Sequence, residues 1–420
     1  MTGGWIFAYA EALRRVGIRT VIICFSSRIR SPEQCTHDPT GAVIRFLPAT
    51  FMYRAARRPF QNPYAWSIEE AFGDWDHASF AVRVSREILK DGLPYLATPL
   101  FRLASALSEE GCGAMLCQEY EYARFDVCVA LGRLLSIPVF ATFQGGNWQA
   151  SRFERHLRPS AIRNCAGLII GPQTELRRVQ DTYGLNQEKL ARIFNPVDTM
   201  VWRPCDREEA RSALRIPSNA EVVVWHGRVD MHRKGLDILM RAWARLHEER
   251  ASRDLRLLLI GTGNDADKLS IMIKELRLAG VSWNNSFLQE PDLLRTYLSS
   301  ADVYAFPSRH EGFPMAPLEA MACGLPIAAT DAPGIPDILE FGADSGGYVV
   351  PRENVQALAG ALGRLLDDRT QRHQLGLRAR QRIEENFSME AVGAQLFQFL
   401  SSRGCGATKH DPESKFRPAS

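Results

Sequence analysis

The run RHEGFPMAPLEAMACGLPIAAT, residues 309–330, carries two glutamates, Glu311 and Glu319, with seven residues between them. The apolar stretch ADVYAF precedes it and the run closes on LPIAAT; both read as buried strands. Between them Met315, Leu318, Met321 and Ala322 recur at helical spacing. Pro314 suits a first helical turn and Gly324 suits a stop. The pattern places Glu311 in the loop after a strand and Glu319 about two turns into the helix. Open α/β sheets bind ligands in the crevice outside the carboxyl ends of their strands. The N–H groups of Phe313, Met315 and Ala316 are expected to point into that crevice, where a helix N-terminus favours phosphate. Either carboxylate would serve equally as ordinary solvated charge, so the spacing alone names no chemistry.

A second segment, VVVWHGRVDMHRKGLDILMRAWARL, covers residues 222–246. A β-branched run ends at His226-Gly227, Arg228 follows, and Lys234-Gly235 precedes a helix with Leu236, Leu239, Met240, Trp243 and Leu246 on one face. Arg offers a planar fork of donors and Lys a point charge, and both suit a diphosphate. Solvated loop cations are the alternative.

Arg228, Lys234-Gly235, Glu311-Gly312-Phe313 and Glu319 together resemble the retaining glycosyltransferases of family 4, also called glycosyl transferases group 1. The resemblance is good from about Asn195 to Phe397 and weaker, though in register, before that. It implies a GT-B fold: α/β, two Rossmann-like domains with parallel sheets facing a cleft. It also implies a nucleotide-diphosphate sugar as co-substrate, with Glu319 on the ribose hydroxyls and Glu311 beside the donor sugar. Arg228 and Lys234 would hold the leaving diphosphate, aided by helix N–H groups. The implied catalytic set is Glu311, Arg228 and Lys234. The implied donor set adds Gly4, Gln144, Gly227, Gly261, Gly263, Gly312, Phe313, Met315, Ala316 and Glu319. No metal and no other cofactor is expected.

The bulk numbers are those of an ordinary globular protein. At 420 residues two domains are the natural prior, and 45% apolar with 24% charged residues is ordinary. A net charge of +3 leaves no nucleic-acid footprint. Nine cysteines without a C-x-x-C pair suggest reduced, mostly buried thiols in a cytoplasmic protein. No run is long and apolar enough to span a bilayer, so membrane contact is expected to be at most peripheral, at the inner face.

Along the chain, a helical pattern from Trp5 to Val16 leads into an apolar run, residues 17–24. Further strands are expected at 114–117 and 137–142, with a helix at 125–135 between them. Residues 26–80 are Pro- and Arg-rich and take no clear assignment. A hinge is expected at Asn195–Asp198 and Arg203-Pro204. Strands of the second domain are expected near 222–226, 255–260, 284–288, 302–306 and 326–330. The expected division is 1–197, an acceptor-binding domain; 198–386, a nucleotide-sugar domain; 387–402, a helix crossing back to the first domain; and 403–420, a disordered tail.

Two departures from the family pattern stand in the first domain. Members often carry a His after the strand matching residues 137–142, where this chain has Gln144-Gly145-Gly146. Gln144 can hydrogen-bond a sugar or phosphate but cannot titrate. The chain also begins within the loop Thr2-Gly3-Gly4, so the family's preceding strand is expected to be missing or to lie upstream.

The turn Gly261-Thr-Gly263-Asn-Asp-Ala266 fits G-x-G-x-x-A, but the ribose-binding acid of a dinucleotide site is absent from the next strand. Gln118–Tyr122 reads as acceptor lining or as a surface turn. Met52–Phe60 reads as a lipid or phosphate contact or as a solvated basic loop. His226, His232 and His310 read as loop or structural residues. The first reading is therefore a retaining hexosyltransferase acting on a UDP- or GDP-sugar and a glycan, lipid-linked or other glycoconjugate acceptor. A GT-B sugar-nucleotide epimerase and an inactive nucleotide-sugar-binding subunit remain as alternatives.

Overall fold

The computed structural model describes residues 4–57, 80–145, 152–288, 290–311 and 313–404. Gly312, Gly146, residues 58–79 of the Pro- and Arg-rich segment and most of the tail lie outside these residues. The chain divides into two units. One holds Met1–Ile170, Glu175–Ile193 and Gly393–Ser420; the other holds Gly171–Thr174 and Phe194–Val392. The main boundary thus falls at 193/194 rather than 197/198. Val197 is already built into the second unit: it is buried and its N–H donates to Phe387 O at 2.7 Å.

The first unit carries two sheets. Strands β1 (Val21–Ser26), β2 (Glu33–His37) and β3 (Ala42–Pro48) form one, in the order β1-β3-β2, with β1 parallel and β2 antiparallel to β3. Strands β4 (Met115–Cys117), β5 (Val139–Thr142), β6 (Gly167–Ile169) and β7 (Leu190–Ala191) form the other, all parallel in chain order. Among the described residues no strand pairs with both sheets. Ile23 and Phe25 of β1 instead pack against the core beneath β4–β6, so side chains join what hydrogen bonds do not. The hairpin β2–β3 falls in the segment that took no assignment from sequence. The last helix, Met389–Ser401, belongs to this unit from Gly393 on, and its Phe399 meets Phe140 edge-on at 5.7 Å.

The second unit is a six-stranded parallel sheet, β8 (Glu221–His226), β9 (Leu255–Ile260), β10 (Val281–Asn284), β11 (Val303–Phe306), β12 (Ile327–Thr330) and β13 (Gly347–Val350). Its order is β10-β9-β8-β11-β12-β13. β10 lies three to four residues earlier than the 284–288 read from sequence, because Gly280, at φ +68, turns the chain and lets Val281 pair with Leu257 at once. Helices cover both faces. Side chains alternate along a strand, so Val222 and Val224 enter one core while Val223 and Trp225 enter the other. The helix Leu236–Glu249 buries Leu236, Leu239, Met240, Trp243 and Leu246 completely, the face its periodicity predicts. At the amino end of β11, Asp302 is fully buried and held by Arg211 at 2.9 Å, Arg372 at 3.3 Å and the Val222 N–H at 2.8 Å.

The eight described cysteines are free thiols, but only Cys128, Cys165 and Cys323 are buried, fewer than expected. Among the described residues no helix is long and apolar enough to cross a membrane.

Candidate functional site

The strand order of the second unit decides where its ligand site can lie. From β8 the chain runs outward through β9 to β10, then returns to β11, beside β8, and runs outward the other way. The neighbours β8 and β11 therefore flank a topological switch point, where the loops at their carboxyl ends diverge and leave a crevice. Every site residue read from the second unit, apart from Gly261 and Gly263, falls in the segments after these two strands.

Two side-chain pairs cross from one segment to the other. Lys234 Nζ donates to Glu311 Oε1 at 2.7 Å and to Oε2 at 2.9 Å. His226 Nε2 lies 2.9 Å from Glu319 Oε2. The first pair follows from the backbone beside it. The N–H groups of Arg309 and His310 donate to Arg233 O, at 2.8 and 3.3 Å, which lays the two loops side by side. Arg309 reinforces this by donating to His232 O at 2.8 Å and to both oxygens of Asp237, at 2.6 and 2.9 Å. Gly235 is required here: its φ is +61, and a Cβ would stand 1.9 Å from Pro307 O.

The second pair follows from strand period. His226 shares the β8 face of Val222 and Val224, and the helix Ala316–Ala322, which carries Glu319, packs on that face. Burial pushes the Tyr304 hydroxyl well above its ordinary range, so it stays protonated and donates to His226 O at 3.3 Å. Glu319 sits in the first turn of its helix, not two turns in. Pro314 lies before that helix and Pro317 takes the early helical position. Ahead of the helix, Phe313 stacks on Phe194 at 5.2 Å. The N–H groups of Phe313, Met315 and Ala316 have no acceptor among the described residues.

Arg228 is exposed, and no partner for it occurs among the described residues. It is thus a cation free to take an anion, whereas Lys234 already holds one carboxylate. Gly227, Gly261 and Gly263 form the adjoining turns. Two of them are held small by neighbouring backbone: a Cβ on Gly261 would meet Gly227 O at 1.9 Å, and one on Gly263 would meet Val229 O at 2.2 Å.

Two Asp-x-Asp sequences occur in the chain. Asp74-Trp-Asp76 lies outside the described residues. In Asp265-Ala-Asp267, Asp265 accepts the Met231 N–H at 2.9 Å and pairs with Lys268 at 2.7 Å, which ties down the loop. Among the described residues no cluster suits a metal ion.

In the first unit Gly4 begins the helix Gly4–Arg15. Gln144 follows β5; its side chain donates to Thr142 Oγ1 at 3.2 Å and its N–H to Glu119 Oε2 at 2.9 Å. Gln118–Tyr122 is exposed only at its two ends. Glu119, Tyr120 and Glu121 are buried, and Arg178 binds Glu121 at 3.2 Å and Glu175 at 2.8 Å. Sequence reasoning missed His226 and Arg309. The even register of His226 with Val222 and Val224 was the available signal for the first; Arg309 carried none.

Residues 220–368 match the family model described as Glycosyl transferases group 1. A D-inositol 3-phosphate glycosyltransferase of Nocardia farcinica is 30% identical over 258 residues, covering 58% of this chain and 56% of that protein. An MMP alpha-(1->4)-mannosyltransferase of Mycolicibacterium hassiacum is 32% identical, covering 51% of this chain and 48% of that protein. The chain spans about half the length of the curated relatives it matches. Among solved structures, a sucrose-phosphate synthase from Thermosynechococcus elongatus superposes with a TM-score of 0.65 at 19% identity, covering 96% of this chain and 93% of the other. HepE from Anabaena, solved with UDP and glucose, gives 0.65 at 16% identity, covering 96% and 97%. At such identities the likeness shows the fold, which is GT-B, two Rossmann-like units.

Proposed function

We propose that the chain is a retaining glycosyltransferase of family 4, which moves a hexosyl group from a UDP- or GDP-sugar to a glycan or lipid-linked acceptor. The observation that carries this reading is the pair of cross-ties at the β8/β11 switch point, Lys234 with Glu311 and His226 with Glu319, beside the exposed Arg228. A carboxylate with two acceptor oxygens fits the vicinal diol of a ribose, the role given to Glu319. Arg228 and Lys234 take the diphosphate and stabilise the charge that grows on it as the glycosidic bond breaks. Glu311, held against Lys234, faces the donor sugar; the pair thus joins the phosphate end of the donor to its sugar end. Retention requires attack and departure on one face of the sugar, and the diphosphate then accepts the proton of the incoming hydroxyl. No metal enters this scheme, and the first unit supplies the acceptor site.

The names of the relatives support transfer rather than epimerisation. Two of them are glycosyltransferases, and HepE was solved with UDP and glucose. The helix Phe51–Ala56 leaves Phe51 77% and Met52 64% exposed with Arg54 between the apolar pair and the basic residues that follow, which favours a lipid-linked acceptor at a membrane face. Thermal shift with UDP-, GDP- and ADP-sugars tests the reading. The correct donor at 100 times its dissociation constant adds about 2.7 kcal/mol of stability. Absence of a shift with all three would remove the donor assignment.

A further inference from the structure

We propose that His226 is a positioning residue through which the site distinguishes ribose from deoxyribose: it fixes the Glu319 carboxylate by one oxygen and so aims the group at a vicinal diol. This rests on the reading of the crevice as a nucleotide-sugar site. His226 itself is sealed from ligand, with its side chain 8% exposed, while the Glu319 side chain is 20% exposed. The imidazole is wedged on Tyr304, ring centroids 5.4 Å apart and tilted by 60°. Its Nδ1 is buried without a hydrogen-bond partner among the described residues, and its Nε2 lies 2.9 Å from Glu319 Oε2.

These contacts assign the proton. An ionised carboxylate only accepts, so Nε2 carries the hydrogen and donates it. Donation from a ring locked in place fixes the carboxylate's rotation about its last bond. It uses one of about four acceptor positions on the two oxygens, and the rest stay open to hydroxyl donors. Among the described residues Glu319 has no other side-chain partner. Without the imidazole the carboxylate is free to turn, and a diol that needs both oxygens in one plane loses its match. A deoxyribose presents a single hydroxyl and gains little from that alignment.

The test compares UDP with dUDP, GDP with dGDP and ADP with dADP by calorimetry, on wild-type protein and on His226→Leu, His226→Gln, Glu319→Ala and the Glu319→Ala/His226→Leu double variant. For the base that binds, the wild type should prefer the ribonucleotide by about tenfold, the worth of one hydrogen bond to a charged group. His226→Leu should reduce that preference to about twofold or less while its affinity for the deoxynucleotide stays within a factor of about two. His226→Gln, whose amide N–H also donates, should restore most of the preference. In the Glu319→Ala background, His226→Leu should have no further effect. A His226→Leu protein that keeps the full preference, or that loses both nucleotides equally, overturns the inference. A wild type that binds nucleotide without ribose preference also overturns it, leaving the transferase reading standing. A wild type that binds none of the three overturns both.

Discussion

At the residue scale the site assigns different work to its cations and its carboxylates. Arg228→Ala and Lys234→Ala should each lower turnover by roughly 10²-fold or more, since each removes charge stabilisation from the leaving diphosphate. Steady-state rates with the donor found by thermal shift check this. The two variants should differ in one respect. Lys234→Ala also leaves Glu311, whose side chain is 9% exposed, without its partner, so this variant alone should lose measurable stability. The carboxylates separate by ligand. On the proposed reading Glu319 takes the ribose, so Glu319→Gln should weaken binding of free UDP or GDP. The same reading puts Glu311 beside the sugar, so Glu311→Gln should leave free nucleotide affinity nearly unchanged and depress turnover. Calorimetry with nucleotide alone decides it; equal losses in both variants would contradict the assignment.

At the scale of elements, the loops after β8, β9 and β11 are held by backbone against backbone, and glycine makes that approach possible. Gly235 combines a left-handed φ of +61 with Pro307 O only 1.9 Å from where a Cβ would stand. Gly360, exposed inside the helix Val355–Asp367, has nothing within 4 Å of its would-be Cβ. Gly235→Ala should therefore cost at least about 2 kcal/mol and reduce nucleotide affinity, because it pushes apart the loops that carry Lys234 and Glu311. Gly360→Ala should stabilise by about 0.5–1 kcal/mol and leave nucleotide affinity alone. Urea denaturation of the two variants side by side checks the opposed signs.

Across the whole molecule the two units should respond to pH in opposite windows. In the first unit burial, reinforced by the charge of Glu175, pushes the Glu121 carboxyl up from its ordinary 4.5 to about 7. Between those values the folded unit holds a proton that the unfolded chain releases, so its stability should fall as pH rises from about 4.5 to 7. In the second unit Arg250, with Arg253, holds the Asp367 carboxyl down from 3.8 to about 2. Its contribution is present above 3.8 and is lost as pH falls toward 2. Melting curves of Glu121→Gln at pH 5 and pH 8 isolate the first effect. The substitution should raise the melting temperature at pH 8 by about 2–4 °C and change it little at pH 5. A gain at pH 5 alone would reverse the sign and refute the account.

Much of the second unit was legible in the sequence because its signals are local. Buried parallel strands read as continuous apolar runs, and the face of the helix Leu236–Glu249 follows from a period of 3.6. Glu311, Arg228 and Lys234 could be picked out as candidates because a loop after a strand is where an α/β sheet puts its chemistry, and Glu319 because its spacing from Glu311 completes the family pattern. The start of the helix Ala316–Ala322 was misplaced because two prolines, Pro314 and Pro317, each suit a first turn, and sequence alone does not choose between them; the stacking of Phe313 on Phe194, more than a hundred residues away, is not visible in a local pattern. β10 was misplaced for a related reason: its start is set by pairing with β9. The sequence by itself determined the strand-and-helix alternation, the apolar faces and the residue types of the site. Only the tertiary structure decided that β8 and β11 lie side by side, since non-neighbouring strands pair through hydrogen bonds that no local pattern encodes. That pairing brings Lys234 to Glu311 and His226 to Glu319, across 77 and 93 residues of chain.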